Sequence, residues 1–154
     1  MAALAIVLSI PPFAIPLPLP GFTSEIHFFQ LAIFLCAIIA GPWAGLTSGA
    51  VGALYMGIER IPFIIGGIAL LGFATGLLSR KFRPALACLI AWIVYAPYVV
   101  VTDYIWFSGF IGMPSSNAWA LIVPIMVNLA LQGVICTILA DLIVNYVKRS
   151  KLIG

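Results

Sequence analysis

A chain of 154 residues with 64% hydrophobic and 7% charged side chains, and a mean hydropathy of +1.25, has too little polar surface for a water-soluble domain of its size. Its apolar runs are too long for a membrane β-barrel and lack period-two alternation, which leaves an all-α integral membrane protein. The length suits one domain over residues 1–154, a compact bundle of six transmembrane helices.

Residues 2–15 form a first apolar segment, broken late by Pro11 and Pro12. About 14 residues at 1.5 Å each reach about 21 Å against a hydrocarbon core of roughly 30 Å, so either the tail helps complete this span or the native N-terminus is longer. No basic leader or small-residue cleavage site is visible, and the first helix is expected to be retained. Pro16, Pro18 and Pro20 force an extended, non-helical loop ending at Gly21. The second helix is expected over residues 22–40, the third from 42 to about 57, and the fourth over 63–78. The fifth runs from about 85 to 106 with a kink at Pro97, and the sixth from about 118 to 147. Residues 107–117 read as a Gly/Ser/Pro-rich loop.

The third helix carries the most informative spacing. Gly41, Gly45 and Gly49 recur every four residues, with Ser48 and Gly52 offset by three, so one face has almost no side chains. In a bilayer, where burial against a neighbour gains little over burial in lipid, such faces drive helix association by close approach. Pro42 suits a first helical turn, since its missing N–H is unpaired there anyway, and Gly41-Pro42 reads as a tight turn between antiparallel helices. Gly72 and Gly76 form a second small pair in the fourth helix.

Six of the seven Lys and Arg fall into two clusters, Arg80, Lys81 and Arg83, and Lys148, Arg149 and Lys151. Both are expected on the cytoplasmic side of the plasma membrane, two spans apart, which puts the N- and C-termini inside. The loops near residues 16–24, 59–62 and 107–117 then lie outside.

On that outer side fall Glu25, His27, Glu59, Arg60, Asp103 and Asn117, together with Tyr55, Tyr98, Tyr104, Trp106 and Trp119. They can line an outward-facing aromatic cavity with a few charged groups. Interfacial tryptophans also serve as anchoring belts, the plainer reading of Trp106 and Trp119. Arg60 is the one basic residue outside the two clusters and would partner an anionic ligand. Asp103 interrupts an apolar run, where an ionisable group is a functional candidate by default. Asn128 and Gln132 lie four apart on one face of the sixth helix, as ligand contacts or as interhelical hydrogen bonds. His27 and Glu25 alone make no metal site. Cys36, Cys88 and Cys136 are isolated among aliphatics and read as core fillers. No phosphate-binding loop and no metalloprotease or serine-hydrolase motif occurs, so the chain is read as a non-enzyme without a cofactor of its own.

Six short spans, a Pro-rich outer loop after the first helix, the turn Gly41-Pro42-Trp43-Ala44-Gly45 with Gly49 and Gly52 following, and a basic tail together resemble the substrate-binding S component of an energy-coupling factor (ECF) vitamin transporter. The resemblance covers essentially the whole chain. It implies high-affinity capture of a vitamin or its precursor in an outward pocket, and docking on a membrane T component that carries two ATP-consuming subunits. Delivery to the cytoplasmic side would follow by toppling of the S component. No nucleic-acid partner is implied. Phe22, Glu25 and His27 would then belong to a lid, Glu59 and Arg60 to the third loop, and Tyr98, Asp103, Asn128 and Gln132 to the pocket. The family's Ala-x-x-x-Ala docking face has its nearest match in Ala5-x-x-x-Ser9.

An aromatic pocket with one Arg and several acids suits a flat heterocycle, such as a thiamin precursor, riboflavin or a similar vitamin. A metal-ion S component is disfavoured, since the His-containing N-terminus of such proteins is missing. The rival readings are a structural membrane protein of an assembly complex, which needs no pocket, and a channel or gradient-driven carrier, which needs a polar path across the membrane.

Overall fold

The structure is a computed structural model that describes residues 2–8, 15–19, 22–59 and 61–150, with the backbone alone for 15–19, 22–25 and 59. Its elements are α1 (Ala2–Val7), a hairpin of β1 (Ile15–Leu19) and β2 (Phe22–Ile26), α2 (Phe29–Ala40), α3 (Pro42–Gly52), α4 (Leu54–Glu59), α5 (Ile64–Leu78), α6 (Pro84–Tyr104), a π-helical turn (Ile105–Phe110) and α7 (Ser115–Arg149).

The expected six-helix count is thus replaced by seven α-helices among the described residues. Two continuous apolar helices, 27 residues over Pro84–Phe110 and 35 over Ser115–Arg149, are long enough to cross a membrane. The third expected helix is divided at Ala53, directly after Gly49 and Gly52, where two residues of low helix propensity leave little to hold the turn straight. Residues 22–26, expected as the start of the second helix, instead pair antiparallel with β1 in the register Pro16↔Glu25 and Pro18↔Thr23. The alternating prolines keep β1 extended, and its edge position tolerates their missing N–H groups. The expected loop at 107–117 shrinks to 111–114, because the apolar sequence after Tyr104 continues as a π turn and α7 starts already at Ser115.

The glycine face of α3 finds its partner inside the chain, on α5. A Cβ on Gly45 would overlap the carbonyl oxygen of Gly72, and one on Gly72 would overlap that of Gly45. A Cβ on Gly49 would lie 2.5 Å from the Ile68 carbonyl oxygen, and one on Gly76 2.5 Å from the Pro42 Cα. Backbone meets backbone along three turns of each helix, the arrangement that small residues permit in lipid. Gly41 joins α2 to α3 at φ +92° and ψ −178°, a region open essentially to glycine alone. Farther along the same face of α3, a Cβ on Gly52 would lie 2.6 Å from the Ala5 Cβ of α1.

Hydroxyls inside these helices bond to their own backbone, so they add no unpaired group: Ser48 donates to the Gly45 carbonyl at 3.2 Å and Thr75 to that of Leu71 at 2.8 Å. The long helices present a buried residue every four positions, Ala87, Ala91, Tyr95, Val99 and Asp103 on α6, and Asn128, Gln132, Cys136, Ala140 and Val144 on α7. Their other faces, with Ile93, Val94 and Val101 on α6 and Val123, Val127 and Leu142 on α7, stay exposed to lipid. Cys36, Cys88 and Cys136 are free and buried.

Gly45→Ala should lower stability by about 1–3 kcal/mol, the usual cost of overfilling a packed contact. Gly109→Ala, where the nearest atom lies 4.0 Å from the new methyl group, is the control and should melt like the wild type in a detergent thermal-shift assay. Equal melting of the two variants would contradict the α3–α5 contact.

Candidate functional site

A cavity of about 430 Å³ opens at the end of the bundle opposite the Arg80–Arg83 turn. Its walls come from the start of α2, from α4, the start of α5, the second half of α6, the π turn and the first half of α7. The volume lies within the range of small-molecule sites, about 300–1,000 Å³. Most of the wall is apolar, and the polar groups are His27, Tyr95, Tyr98, Thr102, Asp103, Asn128 and Gln132.

These residues reach the cavity because of the four-residue stripes. Asp103 lies two turns beyond Tyr95 on the inward face of α6 and is 5% exposed; Asn128 and Gln132, 8% and 2% exposed, occupy the matching face of α7. His27 follows β2 directly and is 3% exposed. Tyr95 and Tyr98 stack with ring centroids 6.4 Å apart. Room for them comes from α5: a Cβ on Gly67 would approach the rings of Tyr98 and Tyr95 to 2.6 and 2.7 Å. The Tyr98 hydroxyl donates to the Phe63 carbonyl at 2.9 Å and so ties α6 to the start of α5. The Tyr95 hydroxyl is buried and has no hydrogen-bond partner among the described residues. Thr102 spends its hydroxyl on the carbonyls of Tyr98 and Val99, at 2.9 and 3.1 Å, and presents mainly its methyl group.

The π turn forms the rim. Its wider register, seen in the bond from the Ile111 N–H to the Trp106 carbonyl at 3.0 Å, lets consecutive residues Trp106 and Phe107 both line the cavity. Phe63, Trp106 and Phe110 pack together with centroid separations of 5.4 to 6.2 Å, which braces that rim against α5. Trp106 is therefore part of the cavity wall, whereas Trp119 lies outside the wall, 46% exposed and 5.6 Å from the Tyr104 ring.

Of the residues singled out from the sequence, His27, Tyr98, Asp103, Asn128 and Gln132 come together in this cavity. Glu25 has its backbone in β2 and Glu59 ends α4, each within two positions of a wall residue, His27 and Ile61, and nothing is described of either side chain. Arg60 and Ser9 lie outside the described residues. Ala5 is wholly buried, with its methyl group against α3 at Gly52. The outward side of α1 carries Ala3, Leu4 and Val7. Sequence reasoning missed Tyr95, although the spacing Ala87, Ala91, Tyr95, Val99, Asp103 contains it, and it missed Gly67, whose use shows only once the tyrosines are in place.

Beyond the cavity the buried stripes turn mainly to small and aliphatic residues, Ala87, Cys88 and Ala91 on α6 and Cys136, Ala140 and Val144 on α7, with Thr137 the one buried polar side chain described among them. Between the cavity and the basic end the described buried positions of these two helices therefore carry a single hydroxyl and no amide or charged group.

Tyr98→Phe removes one hydrogen bond and leaves the Phe63 carbonyl with the Gly67 N–H at 3.3 Å. The expected cost is about 1 kcal/mol, read as a lowered thermal midpoint. An unchanged midpoint would show that the α5–α6 tie carries no stability.

No curated protein matches the chain. The family model described as ECF-type riboflavin transporter, S component, matches residues 1–149. With a one-ended cavity in a membrane-embedded helical bundle already in place, that match over nearly the whole length makes this chain a member of the ECF-type riboflavin transporter S components, the membrane subunits that bind a vitamin for an ECF transporter.

Proposed function

We propose that this S component binds riboflavin itself, in the cavity between α6, α7 and the start of α5. The observation that carries the reading is the make-up of that cavity, about 430 Å³ with aromatic walls and a few buried polar groups. A tricyclic flavin is flat and apolar over its faces, which suits Tyr95, Tyr98, Trp106 and Phe107. Its ring-edge carbonyls and nitrogens and its hydroxylated side chain need donors and acceptors, which Asp103, Asn128, Gln132 and His27 supply. Glu25, Glu59 and Arg60 stand in or beside segments at the mouth and would complete the rim, with β2 and His27 acting as the lid.

The mostly apolar stripes beyond the cavity, interrupted among the described buried positions of α6 and α7 by Thr137 alone, favour a binding subunit over a channel. Uptake then requires partners: a T component and two ATPase subunits, which would use the ATP. The chain itself needs no cofactor and performs no chemistry. The excess of positive charge favours that end, and both termini, at the cytoplasmic face of the plasma membrane. Docking through α1 would use the side carrying Leu4 and Val7 rather than Ala5.

Riboflavin titrated into the purified protein should lose fluorescence with a one-to-one end point, because stacking on aromatic rings quenches the flavin. Asn128→Ala and Gln132→Ala should each weaken binding about tenfold or more, the cost of one buried hydrogen bond, without lowering the thermal midpoint of the free protein comparably. Thiamin and biotin should not compete. Absence of quenching in a folded protein, or preferential binding of thiamin, would overturn the riboflavin assignment.

A further inference from the structure

At the end opposite the vitamin cavity, the turn between α5 and α6 and the last turns of α7 enclose a second recess of about 500 Å³. Sequence alone separates its residues by more than 60 positions; the fold brings Arg80, Lys81 and Arg83 to the same depression as Lys148. None of these four cations is engaged in an ion pair with a described residue, and all are exposed. One carboxylate, Asp141, lies among them, but both of its oxygens are occupied. Oδ1 accepts the Ala85 N–H at 3.3 Å in the first turn of α6, and Oδ2 accepts the Asn145 amide at 3.0 Å. Asp141 therefore caps one orphan N–H of the α6 start, and four cations face the recess against a single acid.

Apolar surface begins immediately alongside. Leu86 and Leu89 on α6, and Ile138 and Leu142 on α7, are 42 to 61% exposed within two turns of the recess. A soluble phosphate would use the cations and leave that surface unused. A phospholipid uses both, with its phosphate among the cations and its acyl chains along the leucines.

We propose that this recess is a binding site for the phosphate of an anionic phospholipid, seated between the α5–α6 turn and the end of α7. Bound there, the lipid ties the two clusters together through its headgroup, beside the Ala85–Asp141 hydrogen bond that links the start of α6 to α7. The inference is independent of which vitamin fills the cavity at the other end.

The test uses the full chain in a neutral detergent, with dioleoylphosphatidylglycerol or dioleoylphosphatidylcholine added and bound lipid counted by native mass spectrometry. Wild type should retain one phosphatidylglycerol in preference to phosphatidylcholine. Lys148→Gln and Arg80→Gln should each reduce that retention about fivefold, the effect of one cation at a lipid surface. Arg149→Gln removes the same charge from the neighbouring position, which does not line the recess, and should leave retention unchanged. Equal losses in the Lys148 and Arg149 variants would reduce the effect to diffuse attraction and overturn the site. Equal retention of the two lipids would overturn it as well, and displacement of phosphatidylglycerol by millimolar glycerol 3-phosphate or inorganic phosphate would assign the recess to a soluble anion instead.

Discussion

Everything else in this fold depends on the backbone contact between α3 and α5. Water cannot drive two apolar helices together inside a bilayer, so what holds them is the number of atoms brought into dispersion contact, and that number rises sharply when no side chain intervenes. Gly45 against Gly72, Gly49 against Ile68 and Gly76 against Pro42 form one continuous seam, started by the left-handed φ of Gly41 and extended along the same face by Gly52 against Ala5. The seam leaves α1, α3 and α5 as a thin, tightly closed slab with almost no room for a ligand.

The cavity is the complement of that slab. Where α5 meets α6, the glycines face large rings rather than another backbone, so Gly67 sets off a gap that Tyr95 and Tyr98 only partly fill. Farther along, α6 departs from α-helical register just where it must stay open, and the π turn spreads Trp106 and Phe107 around the rim. Small residues thus serve opposite ends, closing the bundle at α3–α5 and making space at α5–α6. His27, Asp103, Asn128 and Gln132 are buried where that space is, and polar side chains so placed in a membrane protein mark a functional candidate.

The membrane class, the turn at Gly41-Pro42, the small face of α3, and the inward positions of Asp103, Asn128 and Gln132 were legible in the sequence, because each follows from spacing along a single helix. What was not legible depends on partners. That the α3 face would be used internally, taking Ala5 with it, follows from α5 and not from α3. Residues 22–26 carry no helix-breaking residue, and they pair as a strand beside the extended, proline-rich β1. The π turn hides in an ordinary apolar run, and Tyr95 gains its place from Gly67, a residue 28 positions away that no local pattern links to it. Convergence of the two basic clusters on one recess likewise requires the fold.

The most direct test of a ligand-filled, one-ended cavity is native mass spectrometry of the protein as purified from riboflavin-supplied cells, with the released small molecules identified. One flavin per chain, lost on gentle activation and absent from an Asp103→Ala protein of normal stability, is the expected result. A folded chain that carries no flavin, and whose melting does not respond to any vitamin offered, would contradict the account.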